Sequence, residues 1–293
     1  MNASVQPHSA LSSQQTLCSA PITPNYLEIG NGFTALSFKH ASFDKLMDPL
    51  IMVDHFRMSK PTFGAHGHAG ISAVSVLFED SEGAFNNRDS LGNNIDLNPG
   101  DLYWLKAGKG AVHDEKPLPG ARTHGLQIFV NLPASQKHEA PEAVHVKASA
   151  MPIIKSAIHR VRVALGESNG VRGPTSPALP LSILDIELLA GGLYTHFLPA
   201  GQSAWIHPIK GDAKIRVEGE SISLGGKEAF VIRAGRHGTL VTLASDDRAQ
   251  LALIAGAPIG EKFIQRGPFA MTNEADLDSA EAAYKRGEFG SIN

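Results

Sequence analysis

The sequence is poor in cysteine and has no long apolar run. Its 293 residues contain one cysteine, Cys18, so an intrachain disulfide is excluded, and nothing in the composition indicates an oxidising compartment. No run of about 18 apolar residues occurs, which a transmembrane helix would need. The first residues lack the basic and apolar segments of a signal peptide. We therefore expect a cytoplasmic protein without membrane association.

The sequence also lacks an excess of charge of either sign. It has 26 Lys and Arg residues against 29 Asp and Glu residues, and no long basic block. A dedicated nucleic-acid binder carries a basic patch or stripe, so we expect no direct contact with nucleic acid. The hydrophobic content of 42% is sufficient for a large core. The chain length fits one large or two medium domains.

Short strand-like segments recur along the chain. Apolar and β-branched residues dominate segments such as 71–78, 123–131, 160–165 and 213–219, and residues typical of turns lie between them. Short strands at regular spacing are typical of a sandwich or barrel. Only residues 273–286 have a helical pattern, with acidic residues in the first turn. The sequence predicts an all-β protein with a short C-terminal helix.

Two segments in different halves of the chain resemble each other. Residues 98–108 and 226–235 each contain a turn, a strand and then Ala-Gly leading towards a histidine. We interpret this similarity as an internal duplication that produces two tandem antiparallel β-barrels. The predicted domains are a disordered tail at 1–23, a first barrel with a metal site at 24–133, a linker at 134–155, and a second barrel with the helix at 156–293.

Two pairs of metal-binding residue types stand out in the first half of the chain. They are His66-Gly-His68 and His113-Asp-Glu115. Side chains two apart in a strand point the same way, so neighbouring strands would bring three imidazoles and a carboxylate together. A lone His-x-His is a weak signal because most histidines are surface or hydrogen-bonded core groups. Two such pairs beside glycines are a much stronger signal. They predict a metal site formed by all four residues.

The order of several motifs resembles the pirin family, whose members have two tandem jelly-roll barrels and are called bicupins. The resemblance covers about residues 26–289. The motifs that carry it are Asp54-His-Phe, His66-Gly-His-Ala-Gly, Asn98-Pro-Gly-Asp-Leu-Tyr-Trp, Ala107-Gly-Lys-Gly-Ala-Val-His-Asp-Glu and His124-Gly-Leu-Gln-Ile-Phe-Val-Asn.

The resemblance implies one non-haem iron, Fe(II) or Fe(III), in the first barrel. When the iron ligands of the family are carried over to this sequence residue by residue, they correspond to His66, His68, His113 and Glu115. Manganese, cobalt, nickel and copper suit similar donors and are expected substitutes. The histidines of the second barrel lack paired spacing, so we expect that barrel to be free of metal.

The resemblance also implies an activity, the oxygenation of flavonols such as quercetin by O₂. The substrate would be a small aromatic or enolic compound, and Glu115 would take a proton from its hydroxyl group. Two alternatives remain open. One is a metal-dependent redox sensor that regulates transcription or metabolism by binding a protein partner, without turnover. The other is a bicupin whose metal is purely structural. The family implies a monomer.

Three further residues are candidates for the surroundings of the metal. We consider His55 and His124 as hydrogen-bond donors beside the ligands or as pocket lining, and Trp104 as part of an aromatic pocket. Packing in the core remains an alternative for each of them.

The sequence departs from the common sequence pattern of the family after the first histidine. Gly67, Ala69, Ile71 and Ser72 stand where Pro, Arg, Phe and Glu are common in the family. The four candidate ligands are retained, whereas the residues that surround them and tune the metal differ. We therefore expect a wider pocket, and the flavonol activity of this chain depends on whether that pocket still binds such substrates.

Overall fold

The computed structural model describes residues 15–292. The first fourteen positions of the predicted disordered tail lie outside these residues. Within them the chain is mostly β-structure, with two short 3₁₀ helices at His40–Phe43 and Ala148–Ala150 and one α-helix, α1, at Glu274–Lys285. The side chain of Asn273 accepts a hydrogen bond from the Asp276 amide and caps α1. None of the helices described is long and apolar enough to cross a membrane.

The strands fall into two groups along the described chain. The first group comprises β1 (Leu17–Cys18), β2 (Asn25–Ile29), β3 (Phe33–Lys39), β4 (Leu50–Met58), β5 (His66–His68), β6 (Ile71–Leu77), β7 (Phe85–Asp89), β8 (Asn94–Leu97), β9 (Leu102–Lys106), β10 (Ala111–Pro117), β11 (Thr123–Asn131) and β12 (Glu142–Val146). The second comprises β13 (Ile153–Lys155), β14 (His159–Leu165), β15 (Glu167–Ser168), β16 (Val171–Arg172), β17 (Leu181–Leu188), β18 (Leu193–Leu198), β19 (Ser203–Lys210), β20 (Ala213–Val217), β21 (Glu220–Leu224), β22 (Phe230–Arg233), β23 (Thr239–Ala244), β24 (Ala249–Gly256), β25 (Ile264–Arg266) and β26 (Phe269–Met271).

Each half of the chain forms a barrel from one seven-stranded and one four-stranded sheet. In the first barrel the orders are β12-β9-β6-β11-β4-β3-β2 and β5-β10-β7-β8. In the second they are β1-β22-β19-β24-β17-β14-β13 and β18-β23-β20-β21. The prediction of an all-β chain with two tandem barrels and a short C-terminal helix is confirmed.

The two ends of the described chain cross between the barrels. Strand β1 pairs with β22 of the second barrel, so these residues of the predicted tail form an edge strand because β22 offers free main-chain groups. Helix α1, predicted as part of the second barrel, contributes Leu277 to an apolar cluster with Val112 of the first barrel. Strand β12 lies in the predicted linker and pairs with β9. The domain boundaries themselves stay a prediction.

The two seven-stranded sheets pack against each other and form the interface between the barrels. Along β4, Asp54 and Phe56 face the interior of the first barrel, whereas Val53 faces the interface, as the alternation of a strand requires. One apolar cluster joins both sheets, and its members include Val76, Trp104, Leu126, Ile183, Trp205 and Ile254. Because both faces are covered, every residue of β6 is buried.

Arg162 ties the two barrels together within this interface. Its side chain is 1% exposed and pairs with Asp185 of the same barrel at 3.0 Å. The guanidinium also donates to the carbonyl of Leu77 at 3.1 Å and to that of Gly100, both in the first barrel. A buried cation needs such partners to offset its loss of hydration.

A chain of three histidines also crosses the interface. His207 Nδ1 lies 2.7 Å from the carbonyl oxygen of Glu228, which only accepts, so Nδ1 donates. His207 Nε2 therefore accepts from His55 Nδ1 at 2.9 Å, and His55 Nε2 accepts from His124 Nε2 at 2.7 Å. His124 Nδ1 in turn donates to the Asp80 carboxylate at 2.7 Å. With both nitrogens of His124 donating, the additional proton of the chain lies on His124, and His55 and His207 stay neutral. Burial lowers the pKa of His55 to about 2 and the pKa of His207 to about 4.

Replacing Arg162 with alanine is expected to lower the free energy of unfolding by about 3–5 kcal/mol, because Asp185 is left buried without its partner. Urea-induced unfolding measures this difference. Arg172→Ala is the matched control, since Arg172 pairs with Glu167 at the surface with 83% of its side chain exposed, where such pairs contribute about 0–1 kcal/mol. Equal effects of the two substitutions would contradict the bridging role of Arg162.

The protein is expected to lose stability as the pH falls from about 7 to 5. His55 and His207 are neutral when folded, whereas their ordinary pKa is 6.5. The unfolded chain therefore binds more protons below that pH, and acid favours unfolding by up to about 1.4 kcal/mol per pH unit for each histidine. Urea midpoints measured across this range should depend less on pH in His55→Gln. The exposed His237→Gln variant should behave as the wild type, and an unchanged slope in His55→Gln would refute the explanation.

Candidate metal centre

Strand pairing brings the two predicted ligand motifs together. Strands β5 and β10 are antiparallel neighbours, with His66 opposite His113 and His68 opposite Ala111. Side chains of directly opposed residues lie on the same face of a sheet, as do those of residues two apart. The three imidazoles therefore project from one face into the interior of the first barrel, where the seven-stranded sheet closes the other side.

The three imidazoles converge through their Nε2 atoms. His113 Nε2 lies 2.9 Å from His68 Nε2 and 3.2 Å from His66 Nε2. Nitrogens that bind one ion at about 2.1 Å lie about 3.0 Å apart when the angle between them at the ion is 90°. These three residues form the one group among residues 15–292 whose nitrogen or oxygen ligand atoms lie together in this way. The two distances from His113 Nε2 therefore match the spacing of nitrogens that bind one ion.

Backbone carbonyls orient two of these histidines. His66 Nδ1 lies 2.9 Å from the carbonyl oxygen of Gly64, and His68 Nδ1 lies 3.3 Å from that of Pro268. Because a carbonyl only accepts, each Nδ1 carries the proton and each Nε2 keeps its lone pair for a ligand bond. Burial lowers the pKa of His68 to about 3 and holds that of His113 well below its usual range. Neutral imidazole is the form that binds metal.

Glu115 lies beside the cluster and lines the same cavity. Its Oε1 accepts a hydrogen bond from the Asn87 amide at 2.6 Å and lies within hydrogen-bond distance of the Ser75 hydroxyl, and its Oε2 lies 4.0 Å from His113 Nδ1. Burial raises the pKa of the carboxyl group to about 7. The structure thus gathers three of the four predicted ligands and keeps the fourth hydrogen-bonded next to them. The ligand role of all four stays a prediction.

A cavity of about 210 Å³ opens onto the three histidines. Five phenylalanines line it: Phe33, Phe56, Phe63, Phe85 and Phe129. The Phe129 ring meets the His68 ring edge to face at 5.1 Å between centroids, and Phe63 is 39% exposed. The polar lining away from the metal cluster and Glu115 consists of Asp54 and Gln127. The chemistry of this cavity suits a flat aromatic ligand.

The C-terminal segment covers the outside of the metal-binding strands. A Cβ added to Gly67 would lie 2.7 Å from the ring of Tyr284 near the end of α1. Gly70 has a φ of +71°, and a Cβ there would lie 1.9 Å from the carbonyl oxygen of Ala270. The glycine at position 67, where the family often has proline, therefore makes room for this segment. The contact with Pro268 escaped sequence reasoning because 200 residues separate it from His68.

The structure places three further candidates away from the cavity. His55, His124 and Trp104 are absent from the lining of the cavity. His55 and His124 belong to the histidine chain at the interface, and Trp104 belongs to the apolar cluster between the barrels. The reason is strand alternation. His55 follows Asp54 in β4, and Asp54 faces the cavity, so His55 faces away from it.

Sequence reasoning missed the polar residues that support the cavity floor. Ser75 and Asn87 hold Glu115, and Asp54 and Gln127 line the cavity. A signal for the last two was available, because polar residues at inward positions of otherwise apolar strands are unusual.

The histidines of the second barrel have separate partners. His196 Nδ1 lies 2.7 Å from the Ser168 hydroxyl, His207 donates to Glu228 at the interface, and His237 accepts a hydrogen bond from Arg236 at 2.9 Å. Their side chains do not converge in the way that those of the first barrel do.

Comparison with known proteins places both halves of the chain in one family. The Pirin family model matches residues 33–130, and the model of the pirin C-terminal cupin domain matches residues 183–290. Pirin of Mus musculus is 32% identical over 249 residues, which cover 84% of each chain. Pirin of Homo sapiens is 31% identical over 247 residues, again with 84% of each chain covered.

Solved structures share the fold. A quercetin 2,3-dioxygenase from Acinetobacter baumannii superposes with a TM-score of 0.82 at 24% identity, covering 97% of this chain and all of that one. The bacterial pirin YhhW from Escherichia coli in complex with nickel(II) has a TM-score of 0.59 at 15% identity, covering 83% of this chain and 99% of that one. With both family models matched in order and curated relatives above 30% identity, the chain belongs to the pirin family.

Proposed function

We propose that this protein is an iron-dependent dioxygenase that opens flavonol-type substrates such as quercetin. The observation that carries the proposal is the convergence of three imidazoles at an aromatic cavity, with a carboxyl group of raised pKa beside them. A structural neighbour described as a quercetin 2,3-dioxygenase supports this activity. The relative that binds nickel(II) supports a metal at this site.

The donor set fits iron. His66, His68 and His113 offer three imidazole nitrogens, and Glu115 would add a carboxylate oxygen. Nitrogen and carboxylate donors with open positions suit Fe(II), and also nickel or copper. When bound, iron(II) would supply Lewis acidity towards the enolic oxygen of the substrate and one-electron chemistry with O₂.

The side chains of the cavity would bind and orient the substrate. The phenylalanine rings offer apolar faces for the planar ring system and exclude water from the reacting end. The volume of about 210 Å³ is smaller than the roughly 300–1,000 Å³ of typical ligand pockets. A three-ring flavonol would therefore extend past the exposed Phe63 at the mouth of the cavity.

Glu115 is the proposed general base. Ser75 and Asn87 lie within hydrogen-bond distance of its Oε1, so Oε2 is the oxygen left either to hold the metal or to accept the proton of the substrate's enolic hydroxyl. Burial raises the pKa of this carboxyl group to about 7, and a base whose pKa lies near the working pH is effective in proton transfer.

Replacing His113 with alanine is expected to abolish both metal binding and flavonol turnover, because it removes the nitrogen that lies within 3.2 Å of both others in the cluster. Metal content per chain in anaerobically purified protein and quercetin consumption are measured in the same samples. The wild type should hold about one iron per chain. His138→Ala, at an exposed histidine, is the matched control and should retain both properties. Iron binding without any turnover in the wild type would contradict the enzymatic proposal and favour a regulatory role.

Replacing Glu115 with glutamine is expected to lower kcat by about 10²–10⁴-fold, the usual contribution of a general base. The three histidines should retain at least part of the metal, because they form the cluster without Glu115. Turnover is therefore expressed per bound metal ion, which separates the loss of the base from a loss of iron. Full activity per metal ion in Glu115→Gln would exclude the proposed role.

A further inference from the structure

A row of polar side chains crosses the floor of the cavity. Strand pairing sets Ser37 opposite Asp54, Asp54 opposite Gln127, Gln127 opposite Ser75 and Ser75 opposite Tyr103. Directly opposed residues share a face of the sheet, so these five side chains follow one another across five strands on the inner face. Inward positions to one side of this row are apolar and belong to the core of the first barrel.

The side chains of this row differ in whether their hydrogen bonds are satisfied. At one end, Tyr103 donates to Asp89, and the Ser75 hydroxyl lies within hydrogen-bond distance of Glu115 and 2.9 Å from Gln127 Oε1. Along the rest of the row, three buried atoms have no hydrogen-bond partner among residues 15–292: Ser37 Oγ, Asp54 Oδ1 and Gln127 Nε2. Of these three residues, Asp54 and Gln127 line the cavity, and Ser37 does not.

Asp54 Oδ1 and Gln127 Nε2 form a complementary pair beside the cavity. Asp54 and Gln127 are direct neighbours on adjacent strands, and both line the cavity. A carboxylate oxygen accepts hydrogen bonds and an amide nitrogen donates them. A hydroxyl group on a ligand does both at once, so a single hydroxyl satisfies the two atoms together. Leaving such atoms buried without partners is unfavourable, which gives a ligand with that hydroxyl an advantage over one without it.

The rest of the cavity provides no other match for a ring hydroxyl. Apart from the row, the three imidazoles and Glu115, the residues that line the cavity are phenylalanines and methionines. Asp54 is 8% exposed, and its burial raises the pKa of its carboxyl group to about 6. The carboxyl group therefore lies in an apolar environment, where a hydrogen bond from a ligand is most favourable.

We propose that Asp54 and Gln127 are specificity residues that bind a phenolic hydroxyl of the substrate, with Asp54 accepting its proton in a hydrogen bond and Gln127 donating to its oxygen. This inference rests on the proposed function and narrows its substrate class. The preferred substrates are planar aromatic compounds with an enolic oxygen for the metal end and a second hydroxyl on a ring.

The test compares the binding of two flavonols under anaerobic conditions, so that no turnover occurs. Quercetin carries ring hydroxyls besides the enolic one, and 3-hydroxyflavone carries the enolic hydroxyl alone. Calorimetry with iron(II)-loaded protein gives a Kd for each. The wild type is expected to bind quercetin about 10–100-fold more tightly, the range for a hydrogen bond to a charged group.

Substitutions then assign this preference to the two residues. In Asp54→Leu the ratio of the two Kd values should fall to near one, through weaker binding of quercetin while the affinity for 3-hydroxyflavone is retained. In Asp54→Asn and Gln127→Met the ratio should be intermediate.

Ser72→Ala is the matched control and should keep the wild-type ratio. Ser72 Oγ is also buried without a partner, but Ser72 is absent from the cavity lining. Metal content and thermal midpoints establish that each variant is folded. If Asp54→Leu does not fold, the other two variants decide.

The outcomes separate this inference from the proposed function. Equal affinities in the wild type, no binding of either flavonol, or an unchanged ratio in folded Asp54 and Gln127 variants would overturn the inference. An unchanged ratio together with turnover on admission of O₂ leaves the dioxygenase proposal standing. A ratio that collapses in the variants supports the inference, even if the wild type fails to consume quercetin in O₂ and the dioxygenase proposal is lost.

Discussion

The organisation of this protein depends on one sheet that is covered on both faces. In the seven-stranded sheet of the first barrel, alternate side chains of each strand point to the cavity or to the second barrel. Asp54 and His55 are adjacent in β4, yet one lines the cavity and the other joins the interface. The cavity and the union of the barrels are therefore two faces of the same sheet, and a shift of register would disrupt both.

The partner of the second ring nitrogen distinguishes the two groups of buried histidines. In the metal cluster, carbonyls accept from Nδ1 of His66 and His68, and the Nε2 atoms meet at one point. At the interface, His207 also donates from Nδ1 to a carbonyl, but its Nε2 accepts from His55. The first arrangement leaves lone pairs for a ligand, whereas the second uses its lone pairs within the protein. The same residue type thus serves binding in one place and cohesion in the other.

The second barrel supports the site without contributing to its cavity lining. Its interface sheet supplies the apolar surface and the Arg162 contacts that cover the outer face of the first barrel. The segment that follows this barrel returns to the first barrel, where Pro268 orients His68 and α1 packs over Gly67. The contact at Gly67 lies on the side of the metal-binding strands opposite the cavity, whereas Pro268 contacts a side chain that lines the cavity. The site is therefore held by parts of the chain that are distant in sequence.

The β class, the two barrels, the C-terminal helix and the family can be predicted from the sequence, because alternation, turns and motif order are local properties. The sequence also indicates His66, His68 and His113, since a spacing of two in a strand is enough to align side chains. Which face of a strand meets the cavity depends on how the sheets pack, and this packing places His55 at the interface and Asp54 at the site. The contacts of Pro268 likewise depend on the tertiary fold, because a contact across 200 residues leaves no local pattern in the sequence.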